Sequence, residues 1–156
     1  PMIVYTINAC KDSSLVNHFY VSSENKKILE ISKKNKAGII QRPNSLSKDS
    51  IYKMEVIKHA LIEIEKKLGK KASLVASLQA NSPEISSTDI DNSIMKLITN
   101  NLNEVISLDE NLNSNAAIRV MKRETVFQNT LSTYLGCIKT NINDIHYKSD
   151  IKKIKL

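Results

Sequence analysis

Apolar residues recur along this chain with two alternating periods. Ile51, Met54, Ile57, Leu61, Ile64 and Leu68 fall three or four residues apart, the stripe that a helix from Ser50 to Leu68 lays on one face. Asp49 or Ser50 stands where a cap is wanted, and Gly69 where a left-handed residue closes the last turn. Ile90, Ile94, Leu97 and Ile98 predict a second helix, Asp89 to Asn101, with Thr88 and Asp91 spaced as a capping box. Ile28, Leu29, Ile31 and Ser32 predict a third, Glu24 to Lys36, with lysines outward and Gly38 as its stop. Between them lie short runs rich in β-branched or aromatic residues: His18 to Ser22, Ile39-Ile40, Ser73 to Leu78, Val105 to Leu108, Ala117 to Met121 and Tyr134 to Lys139. Ser73 to Leu78 reads as the most buried strand. Ser149 opens a short terminal helix ending at Lys155 and Leu156.

Strands alternating with helices predict an α/β fold with a mostly parallel sheet covered on both faces. In such sheets ligands sit beyond the carboxyl ends of the strands. The site is therefore sought in Ser22-Ser23, Gln41 to Asp49, Gln79 to Ser86 and the turn before the last helix. At 156 residues, with no repeat or linker, the chain reads as one domain spanning 1–156. No apolar run approaches the ~18 residues that cross a bilayer, and the start Pro1-Met2-Ile3-Val4-Tyr5 lacks the features of a signal peptide. Cys10 and Cys137 are too few for a disulfide framework. A cytoplasmic protein, without a membrane partner, is expected. The net charge of +7 raises the question of nucleic acid. Only Arg42, Arg119 and Arg123 are arginines, the lysines are scattered, and there is no Trp. Base reading leans on arginine forks and strand binding on aromatic platforms, so the lysines read as solvated helix faces. A nucleotide or a sugar acid still suits the charge.

Three segments could carry chemistry. Arg42, in Gln41-Arg42-Pro43, offers a rigid fork for a carboxylate, phosphate or base edge; equally, it could pair with a nearby acid. Gln79 and Asn81, in Leu78-Gln79-Ala80-Asn81-Ser82-Pro83, present donors and acceptors fit for a pyrimidine or sugar hydroxyl, or simply for their own backbone. Asp144 and His146, two residues apart, form a possible metal pair or a surface turn. His18 and His59 read as structural. Three glycines build no phosphate loop, and neither cysteine has a partner in sequence for nucleophilic work.

Together these segments resemble the cytidylyltransferases that activate sialic acids and related nonulosonic acids as CMP-sugars. Pro1-Met2-Ile3-Val4-Tyr5-Thr6-Ile7 is similar to that family's first helix, and Val21-Ser22-Ser23-Glu24-Asn25 to its Val-Ser-Thr-Asp-Asp. Arg42-Pro43 with Asp49 resembles its Arg-Pro and spaced Asp, and Lys58-His59-Ala60-Leu61 fits the following helix. Leu78 to Pro83 resembles Leu-Gln-Pro-Thr-Ser-Pro, and Asn143-Asp144-Ile145-His146 with Asp150 the closing Ile-Asp-Ile-Asp-Thr and later Asp.

The resemblance implies a Rossmann-like nucleotidyltransferase sandwich of three layers. It implies attack by a sugar-acid hydroxyl on the α-phosphate of CTP, with Mg²⁺ and release of pyrophosphate. Carried over, Arg42, Gln79 and Ser82 would bind the nucleotide, and Asp144, with His146 in the second carboxylate's place, would hold the metal. Imidazole is a poor ligand for so hard an ion. The family's first strand and basic Gly-rich loop would lie before Pro1, and its dimerisation insert is reduced to a short connection between Val105 and Ala117. Two readings follow: a compact cytidylyltransferase of surface-polysaccharide synthesis, or a non-catalytic relative that binds a nucleotide or a partner chain. A homo-oligomer, a strand swapped in from elsewhere in the chain, or aggregation is expected in place of that first strand.

Overall fold

The structure, a computed structural model, describes residues 1–48, 50–145 and 147–154. In chain order the elements are α1 (Ile3–Asp12), β1 (Tyr20–Ser23), α2 (Lys26–Lys34), β2 (Gly38–Gln41), α3 (Lys53–Leu68), β3 (Leu74–Leu78), α4 (Ser87–Thr99), β4 (Glu104–Leu108), β5 (Ser114–Lys122) and β6 (Leu135–Lys139). Short 3₁₀ turns occupy Asn44–Leu46, Arg123–Phe127 and Lys148–Lys153. Among the described residues no helix is long and apolar enough to cross a membrane.

The α/β alternation holds, but the strands form two sheets. β1 and β2 pair in parallel, while β3-β5-β4-β6 is a mixed sheet. In it β5 runs antiparallel to both neighbours, and β4 and β6 are parallel. The reversal is made by residues 109–113: the Asp109 carboxylate accepts from the backbone N–H groups of Asn111 and Asn113, at 2.9 and 2.8 Å, and folds β4 back onto β5. Helices cover both faces of this sheet. On one, Ile90, Ile94 and Leu97 of α4 pack on Val105, Ile118 and Val120; on the other, Met54, Ile57 and Leu61 of α3 pack on Met121 and Val126.

The helix ends differ in detail from their sequence pattern. Gly69 does close α3, at φ +66°. The start of α3 carries no side-chain cap on Tyr52, and Asp49 lies outside the described residues. The capping box of α4 is Ser86 with Asp89, not Thr88 with Asp91. Asp91 instead accepts from the hydroxyls of Ser13 and Ser14 and the N–H groups of Ser14 and Leu15, pinning the end of α1. Lys36, not Gly38, takes the left-handed conformation after α2 (φ +62°). Gly38 begins β2 because a Cβ there would lie 2.3 Å from the ring of its cross-strand partner Tyr20. Gly38→Ala should therefore cost about 1–3 kcal/mol of stability by overpacking. Urea unfolding checks this, and an unchanged midpoint would show that the ring simply swings aside.

One expectation fails clearly. Every residue of β3 is partly or fully exposed, whereas β4 and β5 hold most of the buried strand positions. Its apolar run is suited to burial, yet among the described residues only β5 pairs with it, and its other edge borders a cavity. Among the described residues no strand swapped from elsewhere in the chain occupies that edge.

Candidate functional site

The carboxyl ends of β1, β2 and β3 open onto that one cavity, of about 1330 Å³, bordered by Ser22, Ser23, Arg42, Gln79 and Asn81. Strand order brings them together, since Arg42 N–H donates to the Ser23 carbonyl at 3.0 Å and Gln79 N–H to the Ala117 carbonyl at 3.0 Å. The Arg42 guanidinium is itself engaged by Glu24, through Nε at 3.2 Å and through Nη2. That hydrogen bond, above all, holds the Glu24 carboxyl below its usual range. The pairing with a nearby acid thus exists, on a residue that also borders the cleft. All three arginines share this state: Arg119 is bound to Glu104 and Arg123 to Glu65.

The loop after β3, which borders the cavity through Gln79 and Asn81, is fastened to the segment after β6. Fully buried Ser82 donates through Oγ to Oδ1 of Asp144. Ile145 N–H donates to the Asn81 carbonyl at 2.9 Å, and Asn143 N–H to Oε2 of Glu84 at 2.7 Å. Gln79 and Ser82 form the turn, with Ser82 N–H 3.4 Å from the Gln79 carbonyl, which also accepts from Thr6 Oγ1 at 3.5 Å. Gln79 borders the cavity. So the loop motif and Asp144, 62 residues apart in sequence, are in contact. Asp144 has one carboxylate oxygen fixed by Ser82, while His146 lies outside the described residues. No group of three or more metal-binding side chains occurs among the described residues.

Sequence reasoning passed over Lys53. It stands at the first turn of α3 and borders the same cavity. Crowding around its ammonium, and next the Arg119 charge, lower its pKa from the ordinary lysine value, while Asp144 opposes the shift. Much of its chain is nevertheless accessible, so we read it as a cation at the rim of the cleft. Cys10, also on the cavity wall, has its thiol pushed up to about 11 by burial. It is no nucleophile at neutral pH.

A family model described as cytidylyltransferase matches residues 1–146. No curated protein matches the chain. Among solved structures, CMP:2-keto-3-deoxy-manno-octonic acid synthetase complexed with CTP superposes with a TM-score of 0.74 at 11% identity, over 98% of this chain and 85% of that one. For 4-diphosphocytidyl-2C-methyl-D-erythritol synthase from Anaerococcus prevotii the values are 0.64 and 11%, over 97% and 83%. A cytidylyltransferase from Leptospira borgpetersenii gives 0.58 and 14%, over 80% of this chain and 50% of that one. At such identities the superpositions speak for the nucleotidyltransferase-like fold, and the sequence match, which takes in Arg42, Gln79, Ser82 and Asp144, speaks for descent: the chain belongs to the cytidylyltransferase family.

Proposed function

We propose that this chain carries the CTP site of an enzyme that transfers CMP to a sialic-acid-type sugar in surface-polysaccharide synthesis. The observation that carries the proposal is that Arg42, Gln79, Asn81 and Lys53 border one cavity at the carboxyl ends of the strands, while Ser82 of the same loop holds Asp144. Arg42 and Gln79 would hold the cytidine, one as a fixed fork of donors and the other as a paired donor and acceptor. Lys53, a cation at the cleft rim, would meet an anion, the sugar carboxylate or a phosphate, whose charge would offset the crowding and the Arg119 repulsion. Asp144 suits Mg²⁺, which is commonly bound by one or two carboxylates together with substrate phosphates. Bound there, the ion would neutralise phosphate charge. The acceptor hydroxyl oxygen forms a bond to the α-phosphorus as the bond to the bridging oxygen breaks, pyrophosphate leaves, and the hydroxyl proton passes to solvent. Positioning and charge dominate such a transfer.

Calorimetry with CTP, CMP and ATP, each with and without Mg²⁺, tests the assignment. Cytidine nucleotides should bind more tightly than ATP, and equal or absent heats for all three would overturn it. Binding of CTP without pyrophosphate release, over a panel of nonulosonic acids, would instead identify the non-catalytic relative. Arg42→Ala should weaken CTP binding by about 1–3 kcal/mol, the scale of a charge-assisted hydrogen bond. Glu24→Gln should do the reverse, because it releases the guanidinium that Glu24 now holds.

A further inference from the structure

Lysines that lie scattered in the sequence gather at the amino ends of the strands. Each of α2, α3 and α4 stops where the next strand, β2, β3 or β4, begins. β3 and β4 both run antiparallel to β5 and are therefore parallel to each other. So α3 and α4 finish at one end of the mixed sheet, on opposite faces of it. Lys67 Nζ donates to the Ile39 carbonyl at 2.7 Å, which brings the start of β2, and with it the end of α2, to the same place. All three helices close on lysine: Lys33 and Lys34, Lys66 and Lys67, and Lys96. The links that follow add Lys36, and Lys70 and Lys71 where the cavity reaches this end. The result is a basic band across the full thickness of the fold.

The acids at this end are already taken up: Lys66 holds Glu63, Arg123 holds Glu65 and Arg119 holds buried Glu104. Lys33, Lys34, Lys36 and Lys96 are exposed, with no side-chain hydrogen bond or ion pair among the described residues. A lysine in the last turn offsets the helix dipole, but the same carbonyl ends repel a small anion. The band therefore suits a partner that spreads many negative charges over an area. Aromatic groups stand beside it, because β5 ends and β6 starts here. Tyr134, whose carbonyl accepts from Asn103 N–H at 3.0 Å, is 66% exposed. Phe127, under the Arg123 guanidinium, is 41% exposed. Nucleic acid is read by arginine forks, and the arginine at this end is engaged by Glu65. An anionic bilayer attracts lysines without needing a fixed geometry, and an amphipathic tyrosine suits its headgroup level.

We propose that the amino ends of the strands form a docking surface for a bilayer rich in anionic phospholipid. The lysines that close α2, α3 and α4 meet the headgroups, and Tyr134 sets its ring among them. The carboxyl ends of the strands, with Arg42, Gln79 and Lys53, then point away from the bilayer and stay open to solutes. The expectation of no membrane partner rested on the lack of a spanning run, which a surface contact does not need. This docking rests on the lysine band and not on the reading of the nucleotide site, and it can fail or stand alone.

Flotation with phosphatidylcholine vesicles, with and without about one third phosphatidylglycerol, reads the partition. Binding should require the anionic lipid and fall steeply as salt rises from about 0.1 M to about 0.5 M, where surface charges are screened. Each lysine beside such a surface strengthens partition about fivefold. Lys33→Gln and Lys34→Gln together should therefore lower it about 20–30-fold. Lys26→Gln and Lys27→Gln make the same charge change at the other end of α2. They should lower it only about three- to fourfold, since at ~0.1 M salt they stand a Debye length, about 10 Å, farther away. Equal losses from the two pairs would overturn the proposal, because net charge and not this end would then set the binding. So would failure to bind anionic vesicles at the lower salt, or tighter binding to a single-stranded RNA than to those vesicles. Tyr134→Ser should weaken binding several-fold while leaving the salt dependence unchanged, and an undiminished partition would reject the docked orientation.

Discussion

Glu104→Gln is expected to be the most destabilising isosteric change in this protein, lowering stability by about 3 kcal/mol, toward the lower end for breaking a buried ion pair. Glu104 opens β4 and is completely buried. Its Oε2 accepts from Arg119 Nη2 at 2.7 Å and Nε at 3.0 Å, and its Oε1 from the Ser132 N–H at 2.6 Å. The partners meet because Glu104 pairs with Met121 and Arg119 with Ile106, which makes them diagonal neighbours on one sheet face. Glutamine keeps the shape but has one acceptor oxygen where three donors converge, and its amide N–H₂ would face a donor. Arg119 keeps about a fifth of its side chain exposed, so water relieves part of the loss, which is why the lower end of the range applies. Against a total stability of ~5–15 kcal/mol this is a large share. Urea unfolding reads it, and a loss below about 1 kcal/mol would show that water, not Arg119, satisfies Glu104. The Glu104→Met, Arg119→Met double variant should recover most of the loss, since removing both charges leaves neither one unpaired.

That pair also shows what the chain's pattern could reveal. Periodicity located α2, α3, α4 and the strands, because burying a face demands a repeat of 3.6 or 2 whatever the partner is, while α1 came only from the resemblance of Pro1 to Ile7. It could not give β5 its direction, since an alternating strand reads the same either way; the reversal lies in Asp109 and its hold on Asn111 and Asn113. It misplaced the box of α4 by two residues because Asp89 and Asp91 are both plausible, and only the nearness of Ser13 and Ser14, some 77 residues away in sequence, decides between them. The run at β3 promised burial, but among the described residues only β5 pairs with it, and its other edge borders the cavity. Within the site, Arg42 and Gln79 were legible from their places after strands. The grip of Glu24 on Arg42 and of Ser82 on Asp144 was not, being long-range contact without a motif. Lys53 stood beyond reach for the same reason: its surroundings, Arg119 and Asp144, come from other elements.

Asp144→Asn should leave the fold intact while removing the Mg²⁺ dependence of CTP binding and slowing CMP transfer by about 10²–10³-fold, the usual cost of one well-placed electrostatic contact. The substitution is nearly isosteric, and an asparagine oxygen can still accept from Ser82, so the fastening of residues 143–145 to the loop after β3 survives. What goes is the negative charge. With His146 in the place of a second carboxylate, Asp144 is the acidic group on which the metal would chiefly depend, and an amide oxygen holds a hard, strongly hydrated ion less well than a carboxylate does. Lys53 sharpens the test. Asp144 raises the Lys53 pKa against crowding and against Arg119, so Asp144→Asn should lower it further, and anion binding without metal should weaken as pH rises from a lower value than in the parent chain. Calorimetry of CTP with and without Mg²⁺, repeated across pH, reads both effects whether or not the chain turns over. Pyrophosphate release with a panel of nonulosonic acids reads the rate. An Asp144→Asn chain that unfolds at the parent's urea concentration yet keeps its full Mg²⁺-dependent gain in CTP affinity would remove Asp144 from the metal site. Ser82 would then be holding it for structure alone.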